Sequence, residues 1–68
     1  MKIVLNNEET QLTGISELTV EQLLKIKNFT FKMLVVKVND KVIRRDDYKT
    51  TPIYEGDVVA VVHLISGG

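Results

Sequence analysis

The sequence predicts an α+β fold in which one helix packs across a mixed sheet of four to five strands. Three observations carry this. A helix-start signature stands at Thr19-Val20-Glu21-Gln22. Two pairs of short strand-like segments flank two-residue polar turns, Asn6-Asn7 and Asn39-Asp40. Near the end, Val58 to Ile65 is apolar at every position except His63, as a strand in the middle of a sheet is.

The elements follow in order. Residues 2–6 alternate, with Ile3 and Leu5 on one side and Lys2 and Val4 on the other, and Asn6-Asn7 tolerates the left-handed backbone of a turn. The return strand, roughly Glu9 to Leu12, is short and polar and ends before Gly14, as an edge strand does. Thr19 as N-cap with Gln22 at the third helical position forms a capping box, and Leu18 can staple onto Leu23, so a helix starts at Val20. Val20, Leu23 and Leu24 form one apolar stripe, and the helix fades near Lys27 or Asn28. Phe29 and Phe31, in the loop that follows, read as lids on the core. Leu34 to Val38 is a strand rich in β-branched residues, and Lys41 to Ile43 starts its partner. Arg44 to Tyr48 is irregular or a single helical turn, Pro52 interrupts the backbone, and Glu55-Gly56-Asp57 is a tight turn. Hairpin, helix, second hairpin and apolar last strand together indicate a β-grasp.

Composition bounds the function. Sixty-eight residues, 44% apolar and 26% charged, make one folded domain, expected over 1–65 with 66–68 as a flexible C-terminal tail. Cysteine is absent, so there is no disulfide, thiolate metal site or cysteine nucleophile. The start of the chain lacks the apolar run of a signal peptide and no stretch approaches a membrane span, so the expectation is a soluble cytoplasmic protein with no membrane partner. Net charge is zero, yet residues 25–49 hold eight of the nine basic groups. Few aromatics are interleaved with these lysines, so the basic stretch reads as a solvated face rather than a nucleic-acid site.

The search for enzyme chemistry is nearly empty. His63 is the sole histidine, and no spacing brings it metal-ligand or triad partners. Asp46-Asp47 and Glu8-Glu9 are adjacent pairs that diverge on an extended chain, and Gly14 and Gly56 are isolated, so neither an acid–base couple nor a phosphate loop is present. What remains is Ser66-Gly67-Gly68. A plain reading is a frayed end. The functional reading is steric: residues without Cβ atoms thread a narrow channel, and the Gly68 carboxylate is unhindered toward attack on a nucleotide phosphate.

With these pieces in hand, the chain resembles the ubiquitin-like sulfur carriers, most closely those of thiamine biosynthesis, over essentially its whole length. The segments LTVEQLL, VNDKVIRRDDY, YEGDVVAVVHLI and the terminal SGG carry the resemblance. The family's arginine with an aromatic three residues later falls on Arg45 and Tyr48, and its Gly-Asp pair on Gly56 and Asp57. The chain departs at Arg44, where the family commonly has proline, and in a longer loop from Lys27 to Met33.

The resemblance implies a non-catalytic carrier. An E1-like adenylating enzyme of the ThiF type activates the Gly68 carboxylate with ATP, a cysteine desulfurase or other sulfur donor converts it to a thiocarboxylate, and a thiazole synthase of the ThiG type takes the sulfur. No cofactor is held by the chain itself; the ATP is the partner's. Ile65, Ser66 and Gly67 are then the residues by which the tail is recognised, and Arg45, Tyr48, Val59, Val61 and His63 a candidate partner surface. The small subunit of molybdopterin synthase and a protein modifier joined to lysines through Gly68 use similar tails. A non-covalent interaction module, using either face of the last strand, is the alternative of a different class. Periodicity does not say which face packs on the helix.

Overall fold

The computed structural model describes residues 1–29 and 32–64. In chain order these form β1 (Lys2–Leu5), β2 (Glu8–Gln11), β3 (Leu18–Thr19), α1 (Val20–Ile26), β4 (Leu34–Val38), β5 (Lys41–Ile43), a single 3₁₀ turn (Arg45–Asp47), β6 (Pro52–Ile53) and β7 (Val58–His63). The main sheet has five strands in the order β2-β1-β7-β4-β5, so the apolar last strand is central, as its composition requires. β7 runs parallel to β1 and antiparallel to β4, which makes the sheet mixed and gives the expected β-grasp layout.

Both hairpin turns are built on left-handed residues. Asn6 and Asn7 stand at φ 50° and 69°, and Asn39 and Asp40 at φ 51° and 68°. Two consecutive residues of this kind make the type I′ turn whose twist matches that of the strands it joins. The first turn follows Leu5, so the return strand is Glu8–Gln11, shifted by one from the expected span.

The helix starts and stops on local chemistry. The Gln22 N–H donates to Thr19 Oγ1 (3.2 Å), and the Thr19 N–H donates back to Gln22 Oε1 (2.9 Å), completing the capping box. The two amides the box leaves over find carbonyls in the segment after the 3₁₀ turn: Val20 N–H donates to Thr51 O and Glu21 N–H to Tyr48 O, each at 3.0 Å. At the other end Asn28 turns left-handed, at φ 58°. Phe29 N–H then donates to Leu24 O (2.8 Å) and Asn28 N–H to Lys25 O (3.1 Å), a Schellman ending that folds Phe29 back against the core. Phe29 is therefore a lid; Phe31 lies outside the described residues.

One core joins helix and sheet. Val20, Leu23 and Leu24 from α1 meet Ile3, Leu5, Val36, Val38, Val59 and Val61 from the sheet, with Leu12, Leu18 and Ile53 closing one end. Leu18 and Ile53 belong to a feature absent from the sequence reading, a two-stranded ladder of β3 with β6. Pro52 is part of that ladder rather than an interruption, and faces Thr19. A two-residue strand in a two-stranded sheet is all edge, where the N–H that proline lacks is not needed.

Candidate functional site

β7 is the last strand among the described residues, and its neighbours define how it is held. On the β1 side, Asn6 N–H donates to Val59 O (2.9 Å), and the Asn6 side chain then accepts from Val61 N–H (2.8 Å). The turn residue thus adds one rung to the ladder where β1 has already ended. On the β4 side the pairing runs on to Leu34 opposite His63, and Leu64 N–H donates to Met33 O (2.9 Å). At the start of β7, Asn39 Oδ1 accepts from Val58 N–H (2.9 Å) while Asn39 Nδ2 donates to Asp57 Oδ1 (3.1 Å). The other oxygen of Asp57 accepts from Tyr54 N–H (2.9 Å), which ties the Gly56 turn to the second hairpin.

The residues singled out from the sequence separate into groups. Val59 and Val61 are 1% and 8% exposed and sit in the core beneath the helix, so their place on a partner surface is corrected: they hold the fold together. Tyr48 is half-buried against the core, and its carbonyl caps the helix. Arg45 is exposed but turned inward on the molecule, its guanidinium donating to the Lys32 carbonyl. His63 is exposed at the end of β7. Ile65, Ser66, Gly67 and Gly68 lie outside the described residues. Arg44, the departure from the family pattern, stands at φ −76° and ψ 150°. Proline takes that backbone readily, so the substitution leaves the chain's path intact.

The surface that sequence reasoning left undecided is the opposite face of β7. Val58 and Val62 are each 50% exposed, and Leu64 is exposed beyond them. In register beside them lie Val35 opposite Val62 and Lys37 opposite Ala60, with Val42 opposite Lys37 on the far strand. This is an apolar patch across three strands with one lysine in it, and it runs up to the last described residue. Lys37 was the available signal: a single charge in an otherwise apolar strand marks the solvent face, and the strand pairing carries that assignment over to Ala60 and Val62.

Other chemistry is sparse. Among the described residues no group of three or more His, Asp or Glu could hold a metal ion, and no helix is long and apolar enough to cross a membrane. An open recess of about 450 Å³ beside the β3–β6 ladder is lined by Ser16, Leu18, Thr19, Gln22 and Tyr54 among others, and shares no residue with the apolar face.

A five-stranded mixed sheet grasping one helix, with its central strand leading into the last residues beside an uncovered apolar face, defines a ubiquitin-like β-grasp domain. The chain belongs to the ThiS family, whose model matches residues 3–68. It is similar to the crystal structure of the thiamine biosynthesis protein ThiS from Geobacter metallireducens, with a TM-score of 0.90 and 25% identity over 100% of both chains. It is also similar to the solution structure of a thiamine biosynthesis protein from the same organism, with a TM-score of 0.84 and 25% identity over 100% of this chain and 88% of that one. No curated protein matches the sequence significantly.

Proposed function

We propose that this protein is a sulfur carrier for the thiazole moiety of thiamine, with its cargo on the Gly68 carboxylate. An E1-like enzyme joins that carboxylate to the α-phosphorus of ATP with loss of pyrophosphate. The terminal sulfur of a donor persulfide then displaces AMP. A thiol cleaves the resulting acyl disulfide, itself becoming a disulfide, to leave a thiocarboxylate, which a thiazole synthase consumes. Activation of this kind divides a difficult substitution into two easier ones, and every catalytic group in it belongs to a partner. The carrier's own task is presentation: to offer one face for docking and let the residues after Leu64 reach into the active site. The observation that carries the reading is the central strand, which ends beside an exposed apolar face in a chain that the family model matches through Gly68. A patch of this kind on a small domain fits a surface that partners cover in turn.

The test is intact mass spectrometry after incubation with a ThiF-type enzyme, ATP and a sulfur source. The expected result is replacement of one oxygen by sulfur at the C-terminus, abolished by appending one residue after Gly68. An unchanged mass with several cognate enzymes, or full activity of the blocked variant, overturns the proposal and favours a non-covalent interaction module.

A further inference from the structure

The end of β7 is held by a relay that begins far from it. The 3₁₀ turn and the residues after it are fastened to the helix, because Glu21 N–H donates to Tyr48 O and Val20 N–H to Thr51 O, each at 3.0 Å, while Thr51 N–H closes back on Asp47 O at 2.9 Å. From the start of that turn the Arg45 guanidinium reaches across to the Lys32 carbonyl. The next carbonyl, that of Met33, accepts from Leu64 N–H at 2.9 Å, the last rung among the described residues between the β7 side and the β4 side. Met33 itself is exposed and precedes β4, so little apolar packing holds it in place. A charged donor on a carbonyl is among the stronger hydrogen bonds available at a surface.

We infer that Arg45 is a positioning residue that holds the Met33–Leu64 rung in place and so fixes the point from which residues 65–68 continue. Four residues, 65–68, follow Leu64 in the sequence. Fully extended they span at most about 14 Å, and each residue released from the sheet adds about 3.5 Å. An arm this short delivers its carboxylate accurately only if its root is fixed. Loss of the Arg45 bond frees Lys32 and Met33, loosens the Leu64 rung and moves the root by up to a residue's length. The consequence for sulfur loading rests on the carrier reading; the anchoring does not.

The experiment compares Arg45→Ala and Arg45→Lys with the unaltered protein in two ways. Amide hydrogen exchange in the isolated protein is expected to show Leu64 losing about tenfold of its protection in Arg45→Ala, while Val36 and Val59 keep theirs. Arg45→Lys, which retains the charge and a donor, is expected in between. Steady-state adenylation is expected to show kcat reduced about fivefold or more with KM within about twofold, because docking is intact and delivery is not. Unchanged exchange at Leu64 overturns the inference. So does a rise in exchange spread equally over Val36 and Val59, which is a general loosening, or a raised KM at constant kcat, which makes Arg45 a partner contact. If the unaltered protein is not adenylated at all, the carrier reading fails, and exchange at Leu64 still decides the anchor.

Discussion

Val61 and Val62 are chain neighbours of one residue type on opposite faces of the central strand, so replacing each with alanine separates fold from docking. Val61 is 8% exposed under the helix, whereas Val62 is 50% exposed on the bare face. Each substitution removes two carbons. At about 0.8 kcal/mol per buried methylene, Val61→Ala loses about 1.6 kcal/mol of transfer energy, and the cavity left behind raises this to about 2–3 kcal/mol. Val62→Ala has about half that transfer energy to lose and no cavity to leave, so about 0.8 kcal/mol is expected. The intrinsic strand preference of valine over alanine enters both alike and drops out of the comparison.

The gap of about 1–2 kcal/mol corresponds to a Tm about 5–15 °C lower for Val61→Ala than for Val62→Ala in a domain of this size. Adenylation kinetics should rank the two the other way. Below its Tm, Val61→Ala is expected to keep kcat/KM near that of the unaltered protein, while Val62→Ala, with an apolar group lost from the proposed docking face, is expected to fall about tenfold. Equal Tm losses would refute the assignment of faces. Undiminished kcat/KM in Val62→Ala would refute the open face as the docking surface.

Three further outcomes follow from single residues. Thr19→Ala removes the acceptor for Gln22 N–H and should lower stability in urea by about 1 kcal/mol. Asn39→Gly keeps the left-handed turn but loses the bonds to Val58 and Asp57, at about 1–2 kcal/mol; Asn39→Ala should cost about 1–2 kcal/mol more in thermal denaturation, because alanine resists φ 51°. Arg44→Pro should raise stability by about 0.4–1 kcal/mol in the same measurement, since φ is already −76° and the strand alternation points this N–H away from β4.

How much of this was legible depended on whether the signal was local. The capping box at Thr19 needs four consecutive residues and was read to the residue; so were β4 and β5, whose register is set by a two-residue turn between β-branched runs. The β3–β6 ladder was not, because Leu18 and Ile53 are 35 positions apart (53 − 18) and two residues hold no periodicity to read. The Arg45 bond to the Lys32 carbonyl was not legible either, because its acceptor is a backbone group that every residue carries and no motif records.

The wrong face of β7 has a more instructive cause. Alternation reveals a strand's inner side only when the outer side is polar, and here both are apolar. In a domain with one helix among its described residues, only one face of the sheet can be covered from within. The second apolar row therefore contributes little to the isolated fold and adds a standing risk of aggregation. Its presence is a conflict between what the sequence offers and what the domain can bury, and such conflicts are expected where function lies. The ambiguity that hid the inner face thus points to a strand with two duties. Val59 and Val61 hold the helix, while Val58, Val62 and Leu64 face outward.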